Sequence, residues 1–196
     1  MSATMAERPT RLFVISFTMK SLIDLPAFAE GQSVQVVVEV PRGGQIKLKY
    51  DPTVGVFRYV RPLVAGLVYP HDWGFVPSTR GEDGDPLDGM VLHQGTTFPG
   101  AVIGCRLLCV LQVEQQERGK KIRNDRYLFC PMEDPSMEKL ADLDDLVPRV
   151  REELERFFLA AVSNTEKKLK LLGWKKASTA LIGLRAGAKA FAKQRR

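Results

Sequence analysis

Three short alternating segments in succession leave this chain few ways to fold. Val34, Val36 and Val38 alternate with Gln35, Val37 and Glu39. Ile46, Leu48 and Tyr50 alternate with Lys47 and Lys49, and Val54–Val60 reads as a third strand. Pro41-Arg42-Gly43-Gly44 and Asp51-Pro52 turn the chain between them. Side chains with a period of two, interrupted by turn signals every ~8–12 residues, predict a β-sandwich or barrel. Ala101–Val113 is a long apolar run read as a central strand, with Arg126–Cys130 as its partner across a polar hairpin at 114–125.

The end of the chain follows a different period. Pro148 can open a helix, with Glu152 and Glu153 in its first turns. Val150, Leu154, Phe157, Phe158 and Ala161 then recur on one stripe. Ser163-Asn164-Thr165-Glu166 matches a capping box and predicts that the helix restarts there. A last helix is expected from Ala177, with Leu181, Leu184 and Phe191 on one side. The fold class expected is α+β and β-dominated. Residues 1–33 are irregular in pattern and read as an N-terminal extension, and 34–196 as a single domain ending in a basic tail at 165–196.

That tail holds ten Lys+Arg and one Glu, whereas residues 1–164 hold nineteen basic and twenty-two acidic residues. The body is therefore mildly acidic and the basicity local. The bland reading is the solvated face of a helix, the sharper one a nucleic-acid contact. Few aromatics interleave with these basic residues, which argues against stacking on single strands. No apolar run approaches the ~18 residues of a membrane span, and no signal-peptide pattern opens the chain. Cys105, Cys109 and Cys130 fit no zinc spacing and read as buried free thiols, which suggests the cytoplasm.

Chemistry concentrates at Asp83-Gly84-Asp85-Pro86-Leu87-Asp88. Three carboxylates within six residues repel one another unless a positive charge sits between them. A hard divalent cation is a natural resolution, and a solvated acidic turn is the alternative. An EF-hand is excluded, since its sixth position would be Asp88 rather than Gly and its twelfth Gln94 rather than Glu. There is no phosphate-binding P-loop, dinucleotide fingerprint or nucleophile elbow.

Upstream lies Tyr69-Pro70-His71-Asp72-Trp73-Gly74-Phe75-Val76-Pro77, preceded by Glu39, Lys47 and Arg61. From Glu39 to Trp174 the chain resembles the soluble family I inorganic pyrophosphatases, built on a small closed OB-like β-barrel flanked by C-terminal helices. The resemblance implies Mg²⁺-dependent hydrolysis of pyrophosphate to two phosphates, with Mn²⁺ or another divalent ion as a substitute, and a homo-oligomer. It implies Asp83, Asp85 and Asp88 as metal ligands, with Asp85 also deprotonating the attacking water. It places Lys47, Arg61, Tyr69, Trp73 and Arg126 around the phosphates and Glu39 at the cavity wall.

The departures from that pattern are specific. Aligning the hairpin puts Gln115 and Asn124 where the family has carboxylates and Arg126 where it has Lys; the hairpin is longer by a few residues, so Glu114, Glu117 or Asp125 could shift in, Asp125 only through a bulge. Lys49 stands where Glu is usual, Trp73 replaces a Tyr, and Ala161-Val162 occupies the place of a Tyr-Lys pair. An amide keeps an oxygen ligand but loses a full charge, so fewer metal ions and weaker pyrophosphate binding are expected. A non-catalytic phosphate- or partner-binding relative, or a hydrolase of another diphosphate, is the alternative.

Overall fold

The computed structural model describes residues 21–29, 33–117 and 119–195. Nine strands and two helices follow in order: β1 (Val34–Val40), β2 (Ile46–Asp51), β3 (Val56–Pro62), β4 (Asp72–Val76), β5 (Leu87–Val91), β6 (Val102–Glu117), β7 (Lys120–Arg123), β8 (Arg126–Pro131), α1 (Pro148–Val162), β9 (Lys168–Lys176) and α2 (Ala177–Gln194). Five of the strands close on themselves. β1 pairs β4, β4 pairs β5, β5 pairs β8, β8 pairs β6, and β6 returns to β1. All these pairings are antiparallel except β5–β8. This ring resembles an OB-like barrel, with the β2–β3 hairpin as a separate two-stranded sheet. β7 and β9 both add to the long β6.

Of three buried apolar clusters among the described residues, the two larger are filled from opposite faces of the ring strands by alternation. Met90, Cys109, Leu111 and Leu128 pack with Leu154, Phe157 and Phe158 of α1. Their strand neighbours Val91, Val110, Tyr127 and Phe129 pack with Ala180 and Leu184 of α2. Strands covered on both sides read as near-continuous apolar runs, which is why β1 shows only one half-buried residue where strict alternation would expose every second one. Cys105, Cys109 and Cys130 are buried and unbridged.

Several sequence expectations move. β3 begins two residues later than its apolar run, and the polar hairpin at 114–125 is itself largely strand. The capping-box match at 163–166 starts no helix: the Thr165 hydroxyl donates back to the Val162 carbonyl at 2.7 Å, and strand β9 follows. Of the last helix's expected stripe only Leu184 is buried, alongside Ala180 and Gly187. In the N-terminal stretch, residues 1–20 lie outside the described residues. Ala27 is buried, and the Leu22 amide donates to the Tyr50 hydroxyl at 3.2 Å. No described helix is long and apolar enough to cross a membrane.

Candidate active site

The β4–β5 connection builds the acidic loop. Gly84 at φ 88° takes a conformation that side chains disfavour. The Gly81 amide donates to the Asp85 carbonyl at 2.7 Å and the Asp85 amide to the Asp83 carboxylate at 3.1 Å. Below the loop, Thr79 donates to the Val76 carbonyl at 2.6 Å and accepts from the Leu87 amide at 3.0 Å. One anchor comes from far along the chain, for the Arg80 amide donates to the Gly187 carbonyl of α2 at 3.0 Å.

Facing the loop is a cavity of about 540 Å³. The β2–β3 hairpin contributes Lys47, Lys49 and Arg61, with Lys47 directly opposite Arg61 in the ladder. The end of β6 contributes Gln115, and the start of β8 contributes Asn124 and Arg126. Asp83, Asp85 and Asp88 line the same space, as do Glu39 and Trp73. Tyr69 lies behind it, on a small adjoining cavity shared with Lys47, Arg61, Trp73 and Arg126. Its hydroxyl is held protonated by burial, and its ring packs on Trp73 and Phe157.

Each loop carboxylate has a partner of this chain. Lys49 Nζ lies 2.6 Å from Asp85 Oδ2. The Arg126 guanidinium bonds Asp88, donates to Asn124 Oδ1 at 2.5 Å and sits over the Trp73 ring, 5.5 Å from its centroid. Asn124 Nδ2 donates to Asp83 Oδ2 at 3.0 Å and to Gln115 Oε1 at 3.3 Å. The indole that replaces a phenol is thus a floor for the guanidinium. Asp125 turns elsewhere: its Oδ1 accepts from the Val113 amide at 2.9 Å and pairs with Arg123, and it does not line the cavity. These bonds hold Asp125 in the β7–β8 link, and the shift that would bring it inward does not occur.

Arg61 is tied to the end of α1, donating to the Ala161 carbonyl at 2.5 Å and to Asn164 Oδ1 at 3.4 Å. Of Ala161 and Val162 at the end of α1, Val162 lines the cavity together with Thr165 and Lys167, and both line the smaller adjoining one. Lys167 and Arg80 are wall residues that the sequence did not single out. Lys167 lies in a run of basic residues whose spacing gives no sign of which one turns inward.

Electrostatics follow from this crowding. Burial pushes the Glu39 carboxyl up to about 7, against a hydrogen bond from the Tyr50 amide at 2.8 Å. Burial also raises Asp83, and the nearby Asp88 and Asp85 charges add to the effect. Lys47 is lowered by burial, with Lys167 and Arg126 pushing the same way and Asp88 opposing them. For Lys49 burial acts downward, but the bond to Asp85 and the charges of Asp85, Glu39 and Asp83 outweigh it and raise the ammonium.

The donor set suits one divalent cation on the loop side. Asp83 is raised first by burial and then by the charges of Asp88 and Asp85, and a cation among the three carboxylates would offset both. The opposite wall does not suit a second, because amides and fixed cations stand there. As the side chains lie, no group of three or more His, Cys, Asp and Glu is gathered tightly enough for a metal among the described residues.

Residues 36–192 match the family model for inorganic pyrophosphatase. The chain is 35% identical over 172 residues to the inorganic pyrophosphatase of Thermus thermophilus, covering 86% of this chain and 96% of that one. It is 36% identical over 153 residues to the inorganic pyrophosphatase of a Synechocystis strain, covering 77% and 87%. The crystal structure of the Thermus thermophilus inorganic pyrophosphatase superposes with a TM-score of 0.81 at 33% identity, covering 88% of this chain and 99% of that one. A superposition at TM-score 0.81, a matching model over most of its length and relatives above 30% identity lead to one conclusion: this chain belongs to the inorganic pyrophosphatase family.

Proposed function

We propose that the protein is a diphosphatase that hydrolyses inorganic pyrophosphate to two phosphates in the cavity between the 83–88 loop and the basic wall, with Mg²⁺ as its cation. The observation that carries this reading is a cavity in which Asp83 and Asp85 of the loop and Asp88 at the start of β5 face Lys47, Arg61 and Arg126. A divalent ion held by Asp83, Asp85 and Asp88 would supply positive charge beside the phosphorus and acidify a water molecule. Asp85 takes the proton of the attacking water. Arg61, held by the last turn of α1, meets phosphate oxygens as a planar fork, and Lys47 meets them as a point charge. Tyr69 and Trp73 hold the rear wall in place.

Phosphate release from pyrophosphate by the purified full chain in millimolar Mg²⁺ tests this. Replacing Asp85 by Asn should lower turnover by about 10²–10⁴-fold, the usual worth of a positioned base. Equal phosphate release by wild type and variant would end the hydrolase reading. The Lys49–Asp85 contact favours a second reading, a relative that binds phosphate compounds without turnover, and calorimetric binding without phosphate release would support it.

Three coarser readings accompany the activity. Residues 34–196 form one domain. Buried unbridged thiols support a reducing compartment, the cytoplasm. Exposed apolar side chains at Ile182, Val102 and Met132 support a homo-oligomer.

A further inference from the structure

The cavity brings its own counter-ions. Lys47, Lys49, Arg61, Arg80, Arg126 and Lys167 line it against only Glu39, Asp83, Asp85 and Asp88. Two of those cations lie directly on the loop, Lys49 on Asp85 and Arg126 on Asp88. The two are not equivalent. The Arg126 side chain is 8% exposed, sits over Trp73 and also bonds Asn124, so it is fixed by several partners. The Lys49 side chain is 48% exposed, and Asp85 is the only partner seen for its ammonium among the described residues. A half-exposed ion pair of this kind is held weakly and exchanges readily. An ammonium and a divalent cation cannot both lie against the same carboxylate oxygen, since like charges at such separations repel strongly.

We propose that Lys49 is an exchangeable counter-ion: it occupies the place of a divalent cation at Asp85 in the resting protein and passes to a phosphate oxygen when substrate enters. Two consequences follow, both resting on the reading of this cavity as a pyrophosphate site. The cavity binds pyrophosphate without any divalent ion, because its wall already carries an excess of fixed positive charge. Divalent ions bind weakly to the empty protein, because each must first displace the ammonium. The exchange breaks and forms no covalent bond. Lys49 moves as one ammonium from a carboxylate oxygen to a phosphoryl oxygen, and the vacated carboxylate takes the metal.

Calorimetric titration of the full chain and its Lys49→Gln variant decides the matter, once with Mn²⁺ or Mg²⁺ alone and once with pyrophosphate in EDTA. Because Lys49 is half exposed, the variant keeps its fold, which circular dichroism verifies. The expected result is divalent affinity raised about three- to fivefold in Lys49→Gln, and metal-free pyrophosphate affinity lowered by a similar factor. Unchanged divalent affinity in the variant, or no heat of pyrophosphate binding to the wild type in EDTA, overturns the proposal. Failure of the hydrolase reading is separately visible, as both binding results intact but no phosphate released by the metal-loaded wild type.

Discussion

Glu39, the last residue but one of strand β1, is a carboxyl only 8% exposed, accepting a hydrogen bond from the Tyr50 amide and sharing the cavity wall with cations. Burial outweighs these favourable contacts, so the folded group titrates near 7 while the unfolded one titrates near 4.5. Between those values the folded protein keeps a proton that the unfolded chain has released. Raising the pH therefore favours unfolding, by at most about 1.4 kcal/mol per unit, and the loss is complete above 7. Urea midpoints measured in EDTA should show wild type falling behind Glu39→Gln across that window, with the two proteins matched below it. A constant difference at all pH values would show that Glu39 does not titrate there. At this scale much of the site was legible: the acid loop, Lys47, Arg61 and Arg126 were all expected at one cavity from their motif positions. Lys49 was seen only as a departure, because a sequence shows that a charge has changed sign but not that its new ammonium reaches the loop across from it. Lys167 was illegible, since a turn rather than a periodic element aims it.

Strand β4 shows how a motif residue serves packing before chemistry. A side chain at Gly74 would place its first carbon 1.8 Å from the Val37 carbonyl oxygen and 2.9 Å from Val38 Cα, both backbone atoms of β1. Neither can move without parting the β1–β4 ladder, in which Gly74 lies opposite Val38. Gly74→Ala should cost about 3 kcal/mol or more, at or above the upper end for overpacking. A urea midpoint within error of the wild type would refute this close approach. The same strand holds Asp72, fully buried and accepting from the Arg42 amide at 2.7 Å, from Thr97 at 2.5 Å and from His93, which pins the loop after β5 to the loop after β1. Elements with one exposed face were the easiest to read, as β2 and α1 illustrate. β4 and β5 were not delimited, because Asp72–Val76 is buried on both faces and carries no alternation. β9 does alternate, with Leu169 and Leu171 inward between exposed Lys168 and Lys170, yet the capping-box match before it suggested a helix. Hydroxyl and amide side chains close a helix as readily as they open one, so that local signal had two meanings.

Across the whole molecule, segments far apart in the chain meet at one cavity. The β4–β5 loop, the β2–β3 hairpin and the β6–β8 connection supply the cavity walls, while α2 supports the loop from outside the cavity. Gly183 and Gly187, which weaken α2 as a helix by roughly 1 kcal/mol each, are what let it sit so close. A carbon added at Gly183 would meet the Tyr127 hydroxyl at 2.3 Å, and one at Gly187 would meet Leu87 at 2.6 Å and the Arg80 carbonyl at 3.4 Å. Gly187→Val should therefore lift the helix from the loop, lowering stability by about 1–3 kcal/mol and speeding hydrogen exchange at the Arg80 amide. Unaltered exchange at that amide would mean that the helix is not what holds the loop.

The Arg80–Gly187 hydrogen bond also orders events in time. On a ribosome the three loop carboxylates emerge long before the segment that braces them, so a partly made chain carries the acids without a rigid seat. The loop gains its brace from α2 only when the barrel has closed and the last helix has docked beneath it.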